Sequence, residues 1–330
     1  MRRRLFDGPD QGLGEELHWL ADVAAPARTG GACSLAVCLQ VALRAVGQET
    51  AYAQLMAQTG AAFSLRVAAG FGAELAHEGR EASVAPALAE LGRDAHLMTE
   101  PEPGPAFDVC RAQVMVGRPV VVRGWGSNPA EWAVIVGAQG ADLLGYCFGA
   151  VARRERHPAT LSAALVLGDK AVPLLAAQAD GAALSRALAL LTENVAQYAA
   201  WLDLLETPEP YGPPLRRAQT FLGEQWLSAC LADAREAAAD YLQSLAELAP
   251  EALAEVLFPA TDCAGRLAEE TERLLVPPDA IHRSHLPEDL DWRQRRRETV
   301  STLRTLEASL ADHLRRALRV GEGNPPRADE

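Results

Sequence analysis

The pattern of apolar and polar residues changes character near residue 175. Upstream of that point, short runs of β-branched residues alternate with glycine-rich turns, which is typical of strands. Strands are predicted there at 118–123, 132–137, 143–148 and 163–168. Because only short turns separate them, we expect neighbouring strands to pair antiparallel. Downstream, apolar residues recur with helical spacing. Helices are predicted there at 180–205, 216–248, 250–275 and 291–319.

Helical patterns also precede the predicted strands. The most apolar of them runs from Cys33 to Gly47, and its length and final glycine are typical of a buried helix. Further helices are predicted at 15–24, 50–58 and 81–91, and a strand is predicted within 60–67. Helices followed by antiparallel strands indicate an α+β fold.

The same change of pattern predicts the domain organisation. A chain of 330 residues fits about two domains. We predict an α+β domain over 15–172 and an all-α helical domain over 178–320. The polar tail at 321–330 contains two prolines and is expected to be disordered.

Charge and composition exclude several classes of function. Acidic residues outnumber basic residues by 44 to 31, and the resulting net charge of −13 argues against nucleic acid as a partner. No run of about 18 apolar residues predicts a membrane span. The N-terminal Met1-Arg-Arg-Arg4 is not followed by the apolar stretch of a signal peptide. We therefore expect a cytoplasmic protein without a membrane partner.

The six cysteines suggest neither a zinc site nor a disulfide framework, because no C-x-x-C pair occurs. We expect them to be thiols. The His282-x-x-His285 pair has no third ligand nearby in the sequence, so we expect no metal. No phosphate loop or dinucleotide-binding motif occurs, so we expect no cofactor.

Cys33 differs from the other cysteines because it follows the turn Thr29-Gly-Gly-Ala32 and begins the most apolar helix. The helix dipole favours the thiolate form of a cysteine at a helix N-terminus, and the backbone N–H groups there can stabilise an oxyanion. Cys33 is therefore the candidate catalytic residue. A small buried core residue is the alternative interpretation of this position.

Several stretches resemble peptidase C39-like proteins, which have the papain fold. They are Cys33-Ser-Leu-Ala-Val-Cys-Leu39, Leu43-Arg-Ala-Val-Gly47, Gly117-Arg-Pro-Val-Val-Val122 and Trp132-Ala-Val-Ile-Val-Gly137. Together with the helix at 233–246, they more narrowly resemble the butirosin biosynthesis protein H-like branch, which adds a C-terminal helical domain. The resemblance covers about 28–248. It implies a papain-like domain followed by a helical domain.

The other residues of a papain-like catalytic site are not at their expected positions. The resemblance puts the catalytic histidine where this chain has Glu131, and the carboxylate that orients it near Tyr146-Cys-Phe-Gly149, which holds none. No glutamine occurs just before Cys33. A glutamate cannot take and return a proton near neutral pH as an imidazole does. The remaining nearby histidine, His157, follows an arginine-rich stretch and is expected in a solvated loop.

These departures favour a non-catalytic protein with a degenerate catalytic site. We predict a binding or accessory protein that holds a small molecule or peptide in a cleft around Cys33, with Trp125, Glu131 and Trp132 as ligand-binding residues. The alternative is a divergent cysteine acyltransferase or amide hydrolase with Cys33 as nucleophile. Its substrate would be an acyl or amide group, including an acyl group on an acyl carrier protein.

Overall fold

The computed structural model describes residues 17–27, 31–67, 81–149, 155–206, 214–276 and 286–322. They form two compact units. The first unit contains the described residues up to Tyr52 and those of Gly92–Pro173, and the second contains those of Ala53–Leu91 and those from Leu174 onward. The predicted disordered tail lies outside the described residues from residue 323, and so does the His282-x-x-His285 pair.

The first unit is built around a sheet in which, over the described residues, seven strands pair antiparallel throughout. The strands are β1 (His18–Trp19), β2 (Arg93–Thr99), β3 (Val120–Arg123), β4 (Trp132–Gln139), β5 (Asp142–Cys147), β6 (Glu155–Pro158) and β7 (Ala163–Lys170). The main order is β2-β7-β3-β4-β5-β6, and β1 pairs with the end of β4. The unit is therefore α+β, as the sequence pattern predicted.

Two helices of the first unit pack on the central strands. α1 (Ser34–Ala45) contacts β4 and β3, and α4 (Pro103–Met115) contacts β4, β5 and β3. Val120, Val122 and Ile135 belong to the core that includes α4. Since successive side chains of a strand point to opposite faces, the intervening Val121 and Val134 face the other side of the sheet, where they are fully buried.

The sequence pattern missed α4, because its first residues, Pro103-Gly-Pro105, resemble a loop. A proline in the first turn of a helix loses no hydrogen bond, since the N–H groups of that turn have no acceptor within the helix. The strands β2 and β6 were also not predicted. Both lie at the edges of the sheet.

Two local predictions are wrong. The helix expected at 15–24 is replaced by β1, which pairs with Gly137 and Ala138, and the Leu20 N–H donates to the Val136 carbonyl at 2.8 Å. A short helix is marginal by itself, so pairing with a strand edge prevails. The strand expected within 60–67 is a 3₁₀ turn, Ala61–Phe63, followed by a segment without strand pairing.

The described part of the second unit contains four long helices, α5 (Ala176–Glu206), α6 (Pro214–Leu248), α7 (Glu251–Glu272) and α8 (Leu290–Gly321). α6 packs on α7, α7 on α8 and α8 on α5. The 3₁₀ turn packs against α5 and α6. None of the helices that the structure describes combines the length and the apolarity that crossing a membrane requires.

The second unit also contains most of α2 (Tyr52–Gln58) and α3 (Glu81–Glu90), which precede β2 in the chain. The sequence-based division assigned this region to the first domain. The structure groups it with the long helices because polar side chains of α5 and α6 bind its backbone. The Asn194 amide donates to the Phe63 carbonyl at 2.8 Å, and the Arg235 guanidinium donates to the Ala62 carbonyl.

Candidate functional site

Cys33 is the N-cap residue of α1, with an extended backbone, and its carbonyl accepts the Val37 N–H at 3.1 Å. It therefore lies at the start of the helix that the sequence predicted. The turn before it depends on Gly31, whose φ of +139° is rarely adopted by other residues. No acidic side chain lies in the first turn of α1, and the Cys33 side chain makes no capping hydrogen bond.

The backbone N–H of Cys33 donates to the hydroxyl of Tyr52 at 3.1 Å. The Tyr52 ring packs directly on Gly31, since a Cβ at Gly31 would lie 2.2 Å from that ring. Sequence reasoning missed Tyr52 because 19 residues separate it from Cys33. Only the glycine pair before Cys33 signalled that a large side chain could approach there.

The residue after Cys33 joins α1 to the start of β4. The backbone N–H of Trp132 donates to Ser34 Oγ at 3.2 Å. Glu131 immediately precedes Trp132, and Asn128 Nδ2 donates to its carboxylate at 2.7 Å. The structure therefore brings Cys33 and Glu131 to adjoining elements, with Ser34 and Asn128 as polar neighbours that the sequence did not single out.

All four predicted site residues are buried. The exposed fraction is 1% for Cys33 and Trp125, 6% for Glu131 and 4% for Trp132. The expectation that Cys33 faces a cleft is therefore wrong, and the burial of Cys33 agrees with the alternative interpretation, a small buried core residue. A ligand could reach these side chains only if one of the groups that cover them moved.

Trp125 does not join the other three residues. It belongs to the core that includes α4, and its indole Nε1 donates to the His157 carbonyl at 3.4 Å. Trp132 lies instead beside Arg123, whose guanidinium carbon is 5.8 Å from the centre of the indole. The two tryptophans predicted to line one cleft therefore have different environments, the core around α4 for Trp125 and the Arg123 side chain for Trp132.

The negative groups around α1 disfavour thiolates in its interior. Burial raises the pKa of Cys38 well above its ordinary value, and the nearby thiolates of Cys33 and Cys147 and the Glu131 carboxylate raise it further. Each of these groups ionises to an anion, so no thiol among them gains a stabilising positive partner from the others.

A second polar cluster surrounds Glu155. Its carboxylate accepts the Ser127 N–H at 2.7 Å and the Ser127 hydroxyl at 2.6 Å, and lies 2.9 Å from His157 Nε2. Burial alone would raise the pKa of Glu155, but the hydrogen bonds from Ser127, His157 and Cys147 outweigh it and lower the pKa. The solvated loop predicted at His157 is wrong, because this residue lies in the edge strand β6.

This cluster does not have the order of a cysteine nucleophile and its base. The carboxylate of Glu155 lies between Cys147 and His157, whereas an activated thiol needs the imidazole as its direct partner. Burial raises the pKa of Cys147, which keeps this thiol protonated. The cluster therefore anchors the loop that carries Ser127 and Asn128.

The described residues contain no group of three or more His, Cys, Asp or Glu side chains arranged to hold a metal ion. All six cysteines are buried thiols. The chemistry that the site can offer is therefore that of hydrogen bonds, one buried carboxylate and a covered thiol.

Comparisons with known proteins leave the family open. No protein-family model matches the chain. No curated protein is significantly similar to it in sequence. The resemblance to peptidase C39-like proteins therefore stays a prediction, and the geometry of the site carries the functional argument.

Proposed function

We propose that this chain is a papain-like protein with a degenerate catalytic site, which binds a small molecule or peptide and does not turn it over. The observation that carries the proposal is the hydrogen bond from the Cys33 N–H to the Tyr52 hydroxyl. A helix N-terminal N–H beside a nucleophile is the group that would stabilise an oxyanion. Here the chain's own hydroxyl occupies that donor, which identifies the N–H as a hydrogen-bonding position that a ligand oxygen can take over.

The position of Glu131 supports the same conclusion. The Ser34–Trp132 hydrogen bond holds the start of β4 beside the first turn of α1, and Glu131 precedes that strand. A general base next to a thiol must be an imidazole to shuttle a proton near neutral pH. The Glu131 carboxylate is instead buried and held by Asn128, an arrangement suited to accepting a hydrogen bond from a ligand.

Tyr52 suggests how a ligand would enter. Its side chain is only half-buried, whereas Cys33, whose N–H donates to it, is almost fully buried. A rotation of the Tyr52 side chain would expose Cys33 and release its N–H. A ligand oxygen could then replace the tyrosine hydroxyl, so we propose a ligand with a carbonyl or carboxylate group.

The alternative function, a cysteine acyltransferase or amide hydrolase, has one observation in its favour. Cys33 caps a 12-residue helix whose first turn contains no acidic residue, so the dipole of α1 favours the thiolate form of Cys33. We further propose a cytoplasmic location and no nucleic acid partner. The six buried thiols fit a reducing compartment.

The test uses the N-acetylcysteamine thioester of N-acetylalanine, which carries two carbonyl groups and releases a free thiol when cleaved. We expect calorimetry to detect binding to the wild-type chain, with no thiol release above the uncatalysed rate. Glu131→Gln should weaken binding by about tenfold to a hundredfold, the loss of a charge-assisted hydrogen bond. Gln243→Glu, on an exposed face of the second unit, is the matched control and should bind as wild type does.

Turnover would contradict the proposal. Thiol release by the wild-type chain that Cys33→Ser abolishes would establish the enzyme instead. Equal affinities of wild type and Glu131→Gln would remove Glu131 from the site. As a second readout, the pH dependence of Cys33 alkylation should show no midpoint below about 6, because a midpoint that low would reveal an activated nucleophile.

A further inference from the structure

Two buried arginines lie in the first two turns of α8, about one helical turn apart. Arg293 is 7% exposed and Arg296 is 5% exposed. The spacing of three residues places both side chains on the same side of the helix. Neither residue belongs to the site around Cys33.

The two guanidinium groups have few partners. Arg293 Nη1 donates to the Glu206 carbonyl at 2.8 Å, and its Nε is buried without an acceptor. Arg296 Nε donates to the Glu224 carboxylate at 2.9 Å and Nη1 to the Leu274 carbonyl at 2.6 Å, while its Nη2 is buried without an acceptor. Each arginine therefore has one buried donor left over among the described residues.

Another buried arginine of the same helical unit, Arg235, has a hydrogen-bond acceptor for every nitrogen of its guanidinium. Arg235 donates through Nε and Nη2 to both oxygens of Glu307, and through Nη1 to the Ala62 carbonyl. Its charge is matched by one carboxylate, and each of its three nitrogens has an acceptor. Arg293 has no carboxylate partner among the described residues, so the Arg293–Arg296 pair carries two positive charges against the single carboxylate of Glu224.

Helix ends account for part of this charge. The Glu206 carbonyl ends α5, and the Leu274 carbonyl lies just after the end of α7, so both arginines interact with the negative ends of helix dipoles. Capping uses only one nitrogen of each arginine. It does not satisfy Arg293 Nε or Arg296 Nη2, and a buried donor without an acceptor destabilises the fold unless a bound group supplies one.

We propose that the Arg293–Arg296 pair is a binding site for a phosphate group. A planar carboxylate prefers the two parallel donors of a single guanidinium. The unsatisfied donors here belong to two different side chains, which suits a group with oxygens in several directions. A phosphate dianion would also balance the excess positive charge. The centre of the Trp292 indole lies 4.7 Å from the guanidinium carbon of Arg296, so phosphate binding would change the fluorescence of Trp292.

The experiment titrates the full chain with inorganic phosphate, at constant ionic strength maintained with chloride. Tryptophan fluorescence and thermal unfolding are both followed. We expect a saturable fluorescence change and a matching rise of Tm with phosphate. Acetate should give an affinity weaker by about tenfold or more, since it lacks the additional oxygens.

Arg293→Met should weaken phosphate binding by about tenfold or more while keeping the buried volume. Arg297→Met is the matched control, because Arg297 is exposed and paired with the Glu206 side chain, and it should retain the wild-type affinity. If Arg293→Met does not fold, Arg293→Lys, which keeps the charge but loses Nε, should weaken binding in the same direction. No saturable response of the wild type, equal responses to phosphate and acetate, or an unchanged affinity in the Arg293 variants would each overturn the site.

Discussion

Tyr52 Oη and the Cys33 N–H meet at 3.1 Å although 19 residues separate them along the chain. This contact determines what the backbone at the start of α1 can bind. Neither residue alone signals this contact in the sequence, because a tyrosine in a short helix and a cysteine before an apolar helix are both ordinary core residues. In the folded chain, the Tyr52 hydroxyl occupies the Cys33 N–H, which would otherwise be an available hydrogen-bond donor.

Removing the Tyr52 side chain should therefore uncover the Cys33 thiol. We expect Tyr52→Ala to raise the rate of Cys33 alkylation about tenfold or more, because access then needs no side-chain rotation. Tyr52→Phe keeps the ring over Gly31 and should change the rate far less. Peptide mass spectrometry measures the labelling of each cysteine in the same sample.

Cys38 is the internal control for this measurement. It is fully buried in the same helix, so its labelling reports the opening of α1 as a whole. If Tyr52→Ala accelerates both cysteines equally, the helix has been destabilised, and Tyr52 is not the cover of the thiol. The prediction requires that only Cys33 responds.

Among the elements, local pattern succeeded where an element is long and its burial regular. The strand β4 and the helix α1 are apolar over most of their length, and both were predicted close to their observed bounds. The short strand β1 was not predicted, because its extended conformation is stabilised by hydrogen bonds to β4 rather than by the pattern of its own residues. The sequence could locate Cys33 and Glu131 on the right elements, but not the burial of either side chain.

Replacing a glycine of the second unit by alanine should raise or lower the stability of the unit, depending on the backbone conformation and the space at that glycine. Gly181 lies in α5 with open space around its missing Cβ, so Gly181→Ala should stabilise the unit by about 0.5 to 1 kcal/mol. Gly60 has a φ of +81°, and an added Cβ would lie 2.7 Å from Leu190, so Gly60→Ala should destabilise the unit by about 1 to 2 kcal/mol or more. Urea unfolding followed by circular dichroism measures both.

Gly265 provides the matched control. It lies in α7, also with open space around it, and Gly265→Ala should stabilise as Gly181→Ala does. A stabilising Gly60→Ala would mean that the left-handed turn before the 3₁₀ turn is not required for the fold of this unit.

At the scale of the whole second unit, one buried ion pair connects elements far apart in the chain. Arg235 of α6 and Glu307 of α8 are at most 1% exposed, and Asn194 and Tyr198 of α5 also donate to Glu307. The same Asn194 side chain accepts the Leu65 N–H at 3.0 Å. The pair thus links the helices to the backbone of the segment after the 3₁₀ turn.

Breaking the pair from one side should be costly. Glu307→Gln leaves the Arg235 charge buried without a carboxylate, so we expect the free energy of unfolding to fall by about 3 to 5 kcal/mol. The double variant Arg235→Met with Glu307→Leu removes both charges and should recover much of that loss. Denaturant unfolding gives the free energies, and hydrogen exchange at the Leu65 amide reports the docking of the segment.

A result in which Glu307→Gln and the double variant are equally destabilised would contradict this account. It would mean that shape, and not the uncompensated charge, sets the cost. Unchanged exchange at Leu65 in Glu307→Gln would show that Asn194 holds the segment without help from the ion pair.

The sequence by itself determined the α+β class of the first unit, the helical second unit and the position of Cys33 at a helix start, because these follow from spacing along a continuous stretch. Only the tertiary structure decided that the Tyr52 hydroxyl accepts the Cys33 N–H, that Trp125 belongs to the core around α4 whereas Trp132 lies beside Arg123, and that residues 53–67 pack with the long helices. Those outcomes depend on contacts between residues distant in the chain. Their energies come from burial and hydrogen bonding that no local pattern of apolar and polar residues records.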